Sequence, residues 1–143
     1  RAELERKLAP HEETPGELAK ALDELQARDF INDGRAIESV VHRRASKLGA
    51  ARVRQELAAK GLSGEAVAQA MEGLRDTELS RAQEVWRKKF GQPPADAHER
   101  ARQMRFLITR GFNAEVVRRV GAVAVGTVAA VLALILLVNW VAG

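Results

Sequence analysis

Ala51-Arg-Val53-Arg-Gln-Glu56-Leu57-Ala-Ala-Lys60-Gly61 reads as one helix that carries its own stop signal. Val53 and Leu57 are spaced for one inward face, and Gly61 stands where helices end in a left-handed residue. The pattern recurs on both sides. With a shift of 49 positions, Ala2 falls on Ala51, Leu4 on Val53 and Leu8 on Leu57. Without a gap, Leu18 then meets Val67, Leu22 meets Met71 and Leu25 meets Leu74. With a shift of 50, Ala51 pairs with Ala101, Leu57 with Leu107, Gly61 with Gly111 and Val67 with Val117. The matched positions are mostly apolar, which is what a shared core pattern preserves.

Around this helix the punctuation predicts two more per copy. In the first copy a helix over about residues 1–9 is followed by Thr14-Pro15-Gly16-Glu17, with Thr14 as cap and Pro15 in the first turn. Leu18, Ala21, Leu22 and Leu25 then share a face, and Asp33 caps a third helix with Ala36, Ile37, Val40 and Val41 inward. In the second copy Ser63 caps a helix burying Val67, Ala70, Met71 and Leu74, and a third stripe runs Leu79, Ala82, Trp86, Phe90. Gln92-Pro93-Pro94 breaks the chain. The third copy offers Ala97, Ala101, Met104 and Ile108, with Gly111 as stop and Asn113 as cap. No long stretch alternates with period two. The expected fold is all-α: tandem three-helix repeats in an elongated, curved array, plus a C-terminal apolar helix. The expected boundaries are 1–49, 50–92 and a partial repeat over 93–120, with neighbours stacking to supply the core.

Composition agrees with helices and argues against catalysis. Only 4% of residues are aromatic, so packing must rest on Ala, Leu and Val. With no Cys there is no thiolate metal site, disulfide or Cys nucleophile. His11, His42 and His98 are far apart, and the single carboxylate at helical spacing, Glu38 before His42, falls short of the several convergent donors a metal needs, so no metal is expected. Carboxylates mostly alternate with cations, as in the i,i+4 pairs Glu3–Lys7 and Glu84–Lys88. No phosphate loop or dinucleotide fingerprint is present, and no cofactor or enzyme activity is expected.

Charge is the informative property. The chain has 23 Lys+Arg against 19 Asp+Glu, and residues 121–143 carry no charge, so the excess lies in the first 120. A basic run crosses the junction of copies one and two: Arg35, His42, Arg43, Arg44, Lys47, Arg52, Arg54 and Lys60. Arg35, His42 and Arg43 fall opposite or beside the apolar stripe of their helix, whereas Arg44 lies near it and is placed to snorkel or to pair with a neighbouring helix. Such a cluster suits phosphate backbone or an acidic protein groove. It has no aromatic residues to stack on bases, so sequence-specific readout is not expected.

The composition changes at Arg118-Arg119-Val120-Gly121. The following 121–143 segment is apolar on every face, and Trp140 lies near its end. About 20 apolar residues span a bilayer as a helix, and flanking arginines would hold the rest of the chain in the cytoplasm. The segment is thus a candidate transmembrane helix and inner-membrane tail anchor.

The run from Asp33-Gly-Arg35 through Arg43-Arg44 and Lys47-Leu-Gly49 to Arg52-Val53-Arg54-Gln-Glu-Leu57-Ala-Ala-Lys60-Gly61 resembles the central signature of the RecX family. Arg1–Leu8, Lys88-Lys89-Phe90-Gly91 and Arg110-Gly111-Phe112 resemble its other repeats. The likeness covers about residues 1–120. It implies a cytoplasmic, non-enzymatic regulator that binds the RecA nucleoprotein filament and lowers RecA's recombinase, ATPase and coprotease activities in DNA repair and the SOS response. By matching position it implies contacts to the filament or to DNA through Arg35, Arg43, Arg44, Lys47, Arg52, Arg54 and Lys60; any DNA contact is expected to be to the backbone, without sequence specificity, and the chain is expected to be a monomer. Two features depart from the family. The segment before the first repeat is expected to be missing, as the start at Arg1 also suggests. The apolar tail is foreign to the pattern, and a foreign or altered C-terminus is favoured over a working anchor. The competing reading is a tail-anchored helical adaptor that binds proteins at the cytoplasmic membrane face.

Overall fold

The computed structural model describes residues 1–28 and 31–142, with the side chains at 125, 127–129, 139 and 142 outside the description. Among the described residues the chain is helical throughout, with no strand. The helices are α1 (Ala2–Leu8, followed by a 3-10 turn Ala9–His11), α2 (Glu17–Ala27), α3 (Asp33–Arg44), α4 (Ala50–Ala59), α5 (Glu65–Asp76), α6 (Glu78–Lys89), α7 (Ala97–Thr109) and α8 (Ala114–Ala142). Phe30, which the same 49-residue shift places on Leu79, lies outside the described residues.

Local signals set the helix ends, often one residue from the expected cap. Asn32, not Asp33, caps α3: its Oδ1 accepts a bond from the Arg35 backbone N–H at 3.0 Å. Such a cap contributes about 1 kcal/mol. Gly16 and Gly64 occupy the N-cap positions expected for Thr14 and Ser63. At α2 the free N–H groups of Gly16 and Leu18 are satisfied by the Glu12 carboxylate instead. Asp96 caps α7 through Glu99 N–H, and Asn113 Oδ1 accepts from Glu115 N–H at the start of α8.

Packing groups the helices differently from the boundaries 1–49 and 50–92. Ile37 and Val40 of α3 share one core with Val53 and Leu57 of α4 and Met71 and Leu74 of α5. A second core joins Ala82 and Val85 of α6, Leu107 of α7, Phe112, and Val117 and Val120 of α8. The three-helix units are therefore α3–α4–α5 and α6–α7–α8. A repeat period fixes how often a unit recurs, not where it begins; the phase follows from which apolar stripes face one another. Helix α1 stands to α3–α5 as α4 stands to α6–α8. A Cβ on Gly61 would lie 2.4 Å from the Ala2 Cβ, and one on Gly111 2.5 Å from the Arg52 Cβ. Those two contacts are related by the same 50-residue step (2 to 52, 61 to 111). Both glycines have positive φ, 73° and 86°, as helix stops require.

Several inward assignments need correction. No residue of α1 is buried, and α2 buries Leu22 alone among its described residues, leaving Ala21 and Leu25 exposed. In α7 the buried positions are Gln103 and Leu107, while Ile108 is 45% exposed. Neighbouring positions on a helix point about 100° apart, so a one-residue error in phase exchanges core for solvent. Gln103 is tolerated inside because its Oε1 accepts from the Trp86 indole N–H at 2.8 Å and its amide donates to the Gln92 carbonyl at 3.3 Å.

The C-terminal segment is also corrected. No separate helix begins at Gly121; α8 runs continuously from Ala114 to Ala142. Val117, Val120 and Ala124, one face at helical spacing, are all buried. The first turns of the apolar segment therefore belong to the second domain. A single glycine inside a helix costs only about 1 kcal/mol and does not stop it. Among the described residues, no helix is long and apolar enough to cross a membrane. Part of the expected span, at 125, 127–129, 139 and 142–143, lies outside the described residues or side chains.

Candidate functional site

Only the middle of the basic run, Arg43 to Arg54, lies around the turn between α3 and α4, with Arg35 and Lys60 at the far ends of those helices; this turn is also the joint between the two domains. Arg44 ends α3, Lys47 lies in the turn, and Gly49 is the N-cap of α4. Gly49 N–H donates to the Arg110 carbonyl at 2.8 Å and Ala51 N–H to the Gly111 carbonyl at 3.3 Å. The turn is thus bonded to the turn between α7 and α8. From α6, the buried Glu78 carboxylate accepts from Ala50 N–H at 3.1 Å, capping α4 from another helix. Arg81, one turn on, donates to the carbonyls of Ala45, Leu48 and Leu74 at 2.8, 2.7 and 2.6 Å. Burial pushes the Arg81 guanidinium below its ordinary pKa, and the Glu78 charge works in the opposite direction.

The predicted cations are presented on this scaffold in different ways. Arg44 Nε pairs with Glu56 Oε2 at 2.8 Å, tying α3 to α4, as its place near the apolar stripe suggested. Lys60 Nζ lies 3.9 Å from Glu3 Oε2. Arg35 is exposed in the first turn of α3. Arg52 Nη1 donates to Gln55, and its Cβ is packed on Gly111. Arg43 Nε donates to the Ser39 carbonyl. Arg43, Lys47, Arg52 and Arg54 have no carboxylate at ion-pair distance among the described residues.

The seven do not form one patch. Arg43 and Lys60 line a groove of about 500 Å³ together with Arg1 and Lys7 of α1. Arg54 lines a second groove, of about 260 Å³, at the domain joint, with Arg75 opposite. Arg1, Lys7 and Arg75 were not singled out by the sequence, because only tertiary packing brings α1 and the end of α5 beside the run. Among the described residues there is no cluster of side chains able to hold a metal ion. Both grooves mix charge: Glu3 and Asp33 also line the first, where Arg1 and Lys7 are paired with Glu5, Asp23 and Glu3, and Glu78 lines the second.

Comparison with known proteins follows the same division. Residues 32–71 match the model of the second three-helix domain of RecX, and residues 76–120 that of the third. Over 120 residues the chain is 58% identical to the regulatory protein RecX of Leptothrix cholodnii, covering 84% of this chain and 76% of that protein. It is 48% identical to the one from Ralstonia nicotianae over the same shares, and 44% identical to the one from Chromobacterium violaceum, of which 78% is covered. The first match ends within α5 and the second begins at its last residue, close to where the two cores divide.

Proposed function

This chain belongs to the RecX family of regulatory proteins, and on that premise we propose that it binds the RecA–DNA filament as a monomer in the cytoplasm and inhibits RecA. Arg35, Arg43, Arg44, Lys47, Arg52, Arg54 and Lys60 carry contacts to filament or to DNA backbone, without sequence specificity. The observation that supports this most is the joint itself. It holds two helical domains together, with Lys47 on the turn and Arg43, Arg52 and Arg54 on the flanking helices exposed and without a carboxylate at ion-pair distance among the described residues. Several modest contacts held in a fixed array gain from one another by effective concentration, which suits a ligand that is itself a repeating filament.

Arg43, Lys47 and Arg54 are the informative residues to change, because they are exposed and unpaired by carboxylates, whereas Arg44 and Arg52 also hold the fold. The test is RecA ATPase on single-stranded DNA with the full chain added. A fragment ending at Val120 is unsuitable, since α8 buries Ala124 beyond that point. Wild-type chain is expected to inhibit. The triple Ala variant is expected to need about tenfold more protein, with inhibition by the wild type weakening as salt rises. Trp86 fluorescence checks the fold. Absence of inhibition by the folded wild type would leave the family resemblance without RecA inhibition.

A second reading rests on α8. Leu134, Leu136, Trp140 and Val141 are 64–81% exposed, and apolar residues there face every direction. A helix apolar all round normally finds lipid or a partner. On this reading the chain is an adaptor whose C-terminal turns contact the cytoplasmic membrane face. Flotation with anionic-lipid vesicles tests it: co-flotation of the full chain supports membrane contact, and recovery of all protein in the aqueous layer removes it.

A further inference from the structure

We propose that the face formed by the end of α6 and by α7 is a second polyanion site, shaped for the phosphodiester backbone of a nucleic-acid strand. Two of the chain's four phenylalanines meet there, far from the α3–α4 turn in sequence. Phe90 and Phe106 pack edge to face, with centroids 5.3 Å apart and planes at 84°. Three cations stand over these rings: Arg110 4.7 Å from the Phe106 centroid, Lys89 5.8 Å from the same ring, and Arg102 5.8 Å from Phe90. All three cations are exposed and both rings are half-buried.

The chemistry of the holding contact decides the inference. A carboxylate partner neutralises a cation and occupies its N–H donors. A ring face attracts the cation through the quadrupole but takes neither its net charge nor its edge donors. The rings therefore fix Arg110 and Lys89 in place while leaving both able to bind an anion. Among the described residues neither has a carboxylate at ion-pair distance; the one acid in the cluster, Glu99, pairs with Arg102 at 3.4 Å. Elsewhere on α6 the basic residues are spent differently, with Arg87 and Lys88 both paired to Glu84. Three like charges gathered on a common aromatic base, with a single acid among them, ask for an extended anion. A planar guanidinium offers paired donors that match phosphate oxygens. Phosphate backbone fits better than an acidic helix because the charge is not a stripe on one helix: Arg102 and Arg110 stand two turns apart along α7, and Lys89 comes from the end of α6.

This extends the reading above, since both ask for a polyanion, but its test contains no RecA. The full chain is titrated into a fluorescent single-stranded oligonucleotide at several salt concentrations. The double variant Lys89→Gln, Arg110→Gln is expected to bind about tenfold more weakly, with a salt slope smaller by about 1.4, two phosphate contacts at about 0.7 each. In the wild type, Lys89 is expected to be protected from amine acetylation by the oligonucleotide. An unchanged salt slope in the double variant, or full Lys89 reactivity in the saturated complex, overturns the proposal. So does loss of binding to poly-glutamate alone, which would mark an acidic protein as the partner. Loss of RecA inhibition in the Arg43, Lys47, Arg54 variant with this binding intact separates the two sites.

Discussion

Replacing Gly49 by alanine is expected to destabilise the protein by about 3–5 kcal/mol and to separate its two domains. A Cβ there would lie 2.2 Å from the carbonyl carbon and oxygen of Gly111 and 2.3 Å from Phe112 N. All three are backbone atoms, so no side chain can swing aside. The conformation of Gly49 itself, φ −75° and ψ 165°, is open to any residue, so the cost is purely steric. Overpacking of this kind costs about 1–3 kcal/mol, and sometimes more. Moving the turns apart also breaks the bonds from Gly49 N–H and Ala51 N–H to the partner turn, at about 1 kcal/mol each. Urea denaturation followed by tryptophan fluorescence in a Trp140→Phe background reads the effect, since the remaining indole, Trp86, packs against the second core. Helix content by circular dichroism should persist, because each domain keeps its own core. Wild-type stability for Gly49→Ala would mean that the two turns do not meet this closely in solution.

Arg81→Met is expected to cost about 3 kcal/mol, by a different route. The guanidinium serves three main-chain carbonyls at once, those of Ala45 and Leu48 in the α3–α4 turn and Leu74 near the end of α5. Its Nε also donates to Thr77 Oγ1 at 3.0 Å. Methionine fills most of the volume but donates nothing, so part-buried acceptors lose their partner and the buried Glu78 loses a nearby opposing charge. Arg81→Lys should fall between the two, because an ammonium on a flexible stem cannot reproduce the fork. The same denaturation series measures all three proteins. A Met variant as stable as the wild type, or a Lys variant worse than Met, would remove Arg81 as the staple of the joint.

Both predictions concern residues whose importance was not legible in the sequence. Glu78 and Arg81 sit on a helix dense in charge, where the ordinary expectation is a solvated pair. The partner of Glu78 and two of those of Arg81 are main-chain groups 28 to 36 residues away, and no local pattern announces them. Gln103 was hidden in the same way, by an indole and a carbonyl brought to it from the preceding helix and loop. The candidate site was legible in part. The basic run was visible as composition, but which cations are spent on Glu56 or Glu3, and which are held by ring faces, depends on packing between helices.

The sequence by itself determined that this chain is helical, that its helices stop at Gly61 and Gly111, that its pattern recurs every 49 or 50 residues, and that its cations crowd around Gly49. Those properties are carried by neighbours along the chain: a cap, a left-handed glycine, an apolar residue every three or four positions. Only the tertiary structure decided that α3 joins α4 and α5 in one core, that α8 runs unbroken through Gly121, and that Gly49 locks against Gly111. Each of these turns on contact between segments distant in sequence. There, the fit of one stripe against another outweighs any local preference, because burying a shared apolar face and satisfying its stranded polar groups involves more free energy than a cap or a glycine can set.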